Sequence, residues 1–305
     1  MKKKLNVFIV IVNYKTYPDL NKCLYAIKKQ ERAEKYTINI VIVDSEYKNA
    51  EVKKIKREYP QVHFILQNES YGVATNYNNG FKKALSFGAD FIFMITPDVF
   101  LEKDVLRTLM KHMEVNENLG AVTCKTLLPS KPPTLYFVGG KLDPVAFTAG
   151  HIGALEKDIG QFDDIQSTDF LNCALVLIRA EVFNKVGFFE SLYFWGYEDI
   201  DFTVRIKKAG FDIEVVTKVY AVHAESGTVE KKSMQRHYYF ARNHLLFIKR
   251  NANLRQKMIA YLFVIKKSVE LIPQLIHGDR NVAYYTLLGR KDFLFGKLGY
   301  RKIEE

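Results

Sequence analysis

The sequence predicts an α/β protein: a Rossmann-like, mostly parallel sheet flanked by helices, followed by a helical C-terminal extension. Three observations carry this expectation. Apolar runs of strand length alternate with helical periodicity through the first third of the chain. Each run passes directly into polar residues. From about Lys231 onward, basic residues are interleaved with large apolar ones, as in "HYYFARNHLLFIKR" and "YLFVIKKSVELIPQLI".

The first element is "LNVFIVIV", Leu5 to Val12, a nearly continuous apolar run of the kind a strand covered on both faces requires. Its basic start imitates a signal peptide, but no small-residue cleavage site follows, so it reads as a strand. Leu20, Cys23, Leu24 and Ile27 fall at helical spacing within a helix from Leu20 to Lys29. Strands are expected at Ile38–Asp44 and Val62–Asn68. A helix then carries Ala74, Tyr77, Phe81, Ala84 and Leu85 as far as Gly88, and "DFIFMITPD" forms a fourth strand. From about Gly120 the pattern turns to short strands and Gly/Pro-rich connections, such as "LPSKPPT" and "FVGGKLDP". "FLNCALVLIRAEVFNKVG" reads as a strand and a short helix, and "WGYEDIDFTVRIKKAG" as a loop entering a helix. "DIEVV" and "KVYAVHA" follow as two strands.

The chain is long enough to bury a substantial core, and 48% hydrophobic with 26% charged residues is ordinary for a globular protein. The net charge of +11 is not ordinary, and it points to an anionic partner: nucleic acid, an acidic membrane surface or phosphorylated small molecules. The basic C-terminal helices fit either such a face or an amphipathic helix packed on its own domain. No apolar stretch has the length of a spanning helix; the best, Tyr261 to Ile276, is interrupted by Lys266, Lys267, Glu270 and Pro273. Cys23, Cys124 and Cys173 are widely spaced and odd in number, against a disulfide framework and in favour of a cytoplasmic location.

In a sheet of this kind, ligands bind at the carboxyl ends of the strands. Those ends are Val12-Asn13-Tyr14, Asp44-Ser45, Asn68-Glu69 and Thr96-Pro97-Asp98. The first turn, "VNYKTY", has no G-x-G-x-x-G, and neither a phosphate-binding P-loop nor a G-x-S-x-G nucleophile elbow occurs. Asp98 can be a Pro-Asp turn, or a carboxylate that holds a divalent cation together with substrate phosphates. "WGYEDID" packs three carboxylates into four positions behind the only Trp and a Gly. Acids favour a helix N-terminus, yet that leaves the approach Trp195-Gly196 unexplained, so Glu198-Asp199 is a candidate acid/base pair. His223 ends a strand, where it is either a structural residue or a partner for Asp98. Arg242 lies in a basic helix that would form a cationic wall, and its guanidinium could grip phosphate oxygens in a bidentate fork.

These segments, in this order, resemble the inverting family-2 glycosyltransferases of the GT-A fold, in particular the rhamnosyltransferase-like branch. The resemblance runs from about Phe8 to Gly299 through "IVIVNYKTYPDLNKCLYAI", "VIVDS", "NESYGVATNYNNGFKKAL", "FIFMITPDVFLEKDVLRTLM", "FWGYEDIDFTVRIKKAG", "VHAESGT", "YYFARNHLLFIKRN" and "GRKDFLFGKLG". It implies a catalytic domain over residues 1–230, with a nucleotide-binding half to about 119 and an acceptor half beyond, and a basic helical extension over 231–305. It implies that Asn13, Tyr14 and Asp44 hold the base and ribose of a dTDP- or UDP-linked sugar, and that Gly72 and Asn78 line the diphosphate. Asp98 and His223 would bind Mg²⁺ or Mn²⁺, Asp199 would be the general base beside Glu198, and Trp195 and Gly196 would meet the acceptor.

The metal motif reads Thr96-Pro97-Asp98, without a first acid. The branch's usual Gly-Gly-Phe-Asp-Glu reads Val186-Gly187-Phe188-Phe189-Glu190, without the acid near the acceptor. By resemblance, the acceptor is a cell-surface or lipid-linked glycan, reached from the inner face of the membrane, and nucleic acid is not expected as a partner. A catalytically silent scaffold of this fold and a basic nucleic-acid-binding protein are the competing expectations, although strand-end acids repel nucleic-acid phosphates.

Overall fold

The computed structural model describes residues 4–30, 35–46, 48–164, 167–224, 234–277 and 280–303. The elements run β1 (Leu5–Asn13), α1 (Tyr17–Lys28), β2 (Tyr36–Asp44), α2 (Ala50–Glu58), β3 (His63–Leu66), α3 (Val73–Ser86), β4 (Phe91–Ile95), β5 (Val99–Leu101) and α4 (Val105–Val115). Next come β6 (Leu119–Leu128), β7 (Thr134–Phe137), β8 (Gly140–Leu142), β9 (Ala149–His151), β10 (Leu175–Arg179) and α5 (Ala180–Val186). A 3₁₀ turn (Ser191–Tyr193) and α6 (Glu198–Lys208) lead to β11 (Asp212–His223), α7 (Met234–Asn251), α8 (Leu254–Leu271), α9 (Gln274–His277) and α10 (Arg280–Leu294).

Helix α1 begins three residues before Leu20 because Pro18, with its fixed φ, sits in the first turn. Periodicity does not single out α2, whose only buried residues in a lysine-rich stretch are Val52 and Ile55. The segments "DIEVV" and "KVYAVHA" form one strand, β11, which pairs with β6 on both sides of an irregularity between Val216 and Tyr220. The boundary expected at residues 230/231 and the Glu225–Thr228 part of "VHAESGT" lie outside the described residues.

The main sheet has the order β3-β2-β1-β4-β10-β6-β11-β5. It is parallel from β3 to β4 and mixed beyond, because β10 runs antiparallel between β4 and β6. One face buries Leu20, Cys23 and Ile27 of α1 with Leu106, Met110 and Met113 of α4. The other buries Tyr77 and Phe81 of α3 with Phe183 of α5 and Phe202 and Ile206 of α6. Helix α7 is far from a detached tail. Tyr238, Tyr239, Arg242, Asn243 and His244, and all of Leu245–Ile248, are buried against α6, the 3₁₀ turn and α10.

The inserted β10 matters most for function. Its reversed direction places its first residues beside the carboxyl end of β4, with Leu175 opposite Ile95. At the far side, antiparallel pairing of β11 with β5 sets His223 opposite Val99, one residue from Asp98. Polar strand ends from both halves of the chain therefore meet along one edge.

Candidate active site

At the β1 and β2 ends, register pairs Asn13 with Asp44. The Asn13 amide donates to Asp44 at 2.7 Å, the Glu46 N–H at 2.8 Å and the Tyr17 hydroxyl at 3.3 Å. Asp44 is almost wholly buried. Burial raises its carboxyl above the usual range, opposed by these hydrogen bonds. Tyr14, by contrast, is exposed, with the Lys15 ammonium over its ring. Asn76 of α3 reaches the same edge. Its amide lies 3.5 Å from the Ser45 hydroxyl and 3.2 Å from that of Ser70, while its buried Oδ1 has no partner.

Asn78 does not reach this edge, contrary to the expectation that it lines a diphosphate. Two residues along a helix turn a side chain to the opposite face. Its amide is fully engaged with the Phe189 backbone, donating to the carbonyl at 2.9 Å and accepting from the N–H at 3.0 Å. Gly72 also turns away from that role. Its φ is +86°, a Cβ would stand 2.4 Å from the Phe194 ring, and the next N–H, of Val73, donates to the Phe194 carbonyl at 2.7 Å. The start of α3 is thereby docked on the loop that carries Trp195.

At the β4 end, Asp98 lies 3.4 Å from His223 Nε2, and both are buried. Burial pushes the Asp98 carboxyl up, but the hydrogen bond and charge of His223, with the Thr96 hydroxyl, hold it below the usual range. Tyr136 packs edge-on against the imidazole at 4.4 Å, and His223 Nδ1 is buried without a partner. Asp98 Oδ2 and His223 Nε2, 3.4 Å apart, fit neighbouring positions on a divalent cation whose other positions are taken by phosphate oxygens. Among the described residues no group of three His, Cys, Asp or Glu could hold an ion on its own.

The third part is the turn from Phe194 to Asp199. Phe194 (φ +61°) and Tyr197 (φ +74°) both occupy left-handed backbone, an expensive conformation for aromatic residues. Gly196, at φ +85°, is required because a Cβ would stand 2.7 Å from the Phe240 ring. The turn is held by Asn243 of α7, a residue that no sequence pattern singles out. Its amide donates to the carbonyls of Tyr193, Trp195 and Gly196 at 2.8–2.9 Å. Trp195 packs edge-on against Tyr239 and Phe240.

Beyond the turn the three acids separate. Asp199 accepts from the Ile200 N–H at 2.8 Å and the Cys173 N–H at 3.4 Å, and burial raises its carboxyl. Glu198 is buried with Oε2 unpartnered; burial, with the adjacent Asp199, raises its carboxyl well above the usual range. Asp201, fully buried, faces the other way and accepts from Tyr193, Arg205, Arg250 and Asn251. Residues 173–174 link the site's halves: Cys173 donates to Asp199, and the Ala174 carbonyl accepts from the Thr96 N–H at 2.8 Å.

Arg242 does not join the cationic wall expected of α7. Arg242 is 1% exposed, and its guanidinium is engaged by the carbonyls of Leu192, Tyr193 and Gly299 and by the Asn243 side chain. It braces the turn from behind instead of facing a phosphate. The acid missing from the acceptor motif also has a structural counterpart. Phe189 is buried among Tyr77, Phe81 and Phe202, where a carboxylate would have no solvation.

Residues 8–186 match Glycosyl transferase family 2, and residues 164–231 match the N-terminal domain of galactosyltransferase. The low-salt glycan biosynthesis hexosyltransferase Agl10 of Haloferax volcanii is 22% identical over 70% of this chain, a match that spans 66% of its own length. Rhamnosyltransferase WbbL of Escherichia coli is 24% identical over 71% of this chain and 83% of its own. The dTDP-rhamnosyl transferase RfbF of Shigella flexneri is 23% identical over 81% of each. Among solved structures, GalNAc-T7 with UDP, GalNAc and Mn²⁺ superposes with a TM-score of 0.64 at 14% identity, over 81% of this chain and 48% of that one. The mannosyltransferase PcManGT of Pyrobaculum calidifontis, with GDP-Man and Mn²⁺, gives 0.57 at 15% identity over 97% and 89%. With a family match over more than half its length and these structural neighbours, the chain belongs to glycosyl transferase family 2 and has the GT-A fold.

Proposed function

We propose that the protein is an inverting glycosyltransferase that moves a sugar from a nucleoside-diphosphate sugar to an acceptor hydroxyl. The observation that carries this reading is the junction at residues 173–174, which ties Asp199 to the Thr96–Asp98 turn within one polar edge. Asp44 and Asn13 bind the nucleotide, with Asn76 beside them. Asp98 and His223 would hold Mg²⁺ or Mn²⁺. That ion, when bound, offsets the negative charge of the departing diphosphate.

Asp199 is the general base. It takes the proton from the acceptor hydroxyl, whose oxygen attacks the anomeric carbon opposite the leaving diphosphate and inverts it. A base lifted above the ordinary Asp range is better matched to this transfer near neutral pH. The Cys173 and Ile200 N–H groups fix the direction of Asp199.

The names of WbbL and RfbF support rhamnose, carried on dTDP, as the sugar. UDP is the second nucleotide to test. The acceptor is a cell-surface or lipid-linked glycan, which would bring the enzyme to the inner face of the membrane. Thermal shifts against dTDP- and UDP-linked sugars, with and without Mn²⁺, followed by product detection, test the reading. A Mn²⁺-dependent shift with one nucleotide sugar and a β-from-α (or α-from-β) product is expected. No shift with any donor, and no transfer, would overturn it in favour of a silent scaffold.

A further inference from the structure

Helix α8 is anchored by one face and open on another. Ala260 and Val264 are buried against the α7 cluster, and the Arg290 guanidinium donates to the Ser268 hydroxyl at 2.7 Å. On the open side Leu254, Met258, Leu262, Ile265 and Val269, continued by Ile272 and Ile276, are between 52% and 82% exposed. Their spacing of three and four residues puts the five on α8 on one ridge, and Ile272 at its C-cap and Ile276 on α9 follow it in sequence. Arg255 and Lys266 border that ridge. The helix carries Arg255, Lys257, Lys266 and Lys267 against one acid, Glu270, which already pairs with Lys267 at 2.7 Å.

We propose that this ridge docks on an anionic phospholipid membrane surface, with α8 lying in the interface plane. The apolar side chains enter the headgroup–acyl boundary and the bordering cations meet lipid phosphates. No described helix is long and apolar enough to cross a membrane, so the contact is peripheral. Packing the ridge on a second copy of the chain would instead oppose two basic borders with almost no acid between them. The charge balance therefore favours an anionic surface over self-association. The proposal goes beyond glycosyl transfer and does not depend on it.

The test is sedimentation of the full-length protein with phosphatidylcholine vesicles, with and without phosphatidylglycerol, alongside sedimentation velocity without lipid. The wild type is expected to bind phosphatidylglycerol vesicles at least about tenfold more tightly than neutral ones, and less tightly as salt rises. The double substitution Leu262→Asp with Ile265→Asp alters two solvent-facing positions, so its melting temperature should hold, and binding should fall at least about tenfold. Undiminished binding by that variant would overturn the proposal. So would a wild-type dimer that the same substitutions convert to monomer while neither form binds vesicles, which assigns the ridge to a second copy. Donor binding, measured in the same samples, is unaffected in either case and keeps the transferase reading separate.

Discussion

The polar edge of the sheet and the seam between α6, α7 and the C-terminal tail are built from similar residues but satisfied very differently. Along the edge, Asn76 Oδ1, Glu198 Oε2 and His223 Nδ1 are buried without partners. In the seam, Asp201 has four donors, Asn243 reaches three carbonyls, and Arg242 bridges the 3₁₀ turn to Gly299. Buried polar atoms are normally paired, so Asn76 Oδ1 and Glu198 Oε2 are groups that a ligand would complete; Asn21 Oδ1 on α1 and Asp104 Oδ1 before α4 are unpaired as well. The contrast within α6 is sharpest: Asp199 and Asp201, two residues apart, serve opposite regions. Rigidity in the seam holds the strained turn, and the turn aims Asp199.

Breaking the seam should have the largest effect on stability. Asp201→Ala leaves Arg205 and Arg250 without their buried carboxylate and should cost about 3–5 kcal/mol in denaturant unfolding. Asn243→Ala removes a donor from three carbonyls, of which only that of Tyr193 keeps Arg242, and misplacement of the base by the relaxed turn should lower kcat roughly 10²-fold with donor affinity retained. The Glu198 prediction concerns pH. Burial and the adjacent Asp199 raise its folded pKa above its unfolded one, so the stability it contributes is complete below the ordinary Glu range and is lost as pH rises through the raised folded value. Glu198→Gln should remove that loss, so the variant should gain stability over wild type as pH rises, as thermal melts across pH would read. The smallest effects separate two neighbours on α3. Asn76→Ala should raise the donor KM by about tenfold, whereas Asn78→Ala should cost about 1–3 kcal/mol of stability and leave KM unchanged.

The first half of the chain was legible because its strands are continuous apolar runs and its polar residues sit at their ends. The strand-end positions of Asn13, Asp44 and Asp98 follow from that pattern, whereas their roles rest on the family resemblance. His223 needed more, since its approach to Asp98 depends on antiparallel pairing of β11 with β5. The reversal of β10 and the resulting junction at Cys173–Ala174 leave no local signal, because an apolar run does not declare its direction. Arg242 and Asn78 illustrate the converse: a guanidinium and an amide suited to phosphate are equally suited to backbone carbonyls, and only burial tells the two apart. Asn243 is one polar residue in a helix of many, and its three carbonyl partners lie 47–50 residues away.

The most direct measurement is single-turnover transfer by Asp199→Asn, with donor affinity determined in parallel. Loss of a general base should slow transfer by about 10²–10⁴ while donor affinity stays within a factor of about two. In the wild type, the rate should rise with pH through a value above the ordinary Asp range, and the variant should lose that dependence. Transfer by Asp199→Asn at near wild-type rate would contradict the assignment of Asp199 as the base.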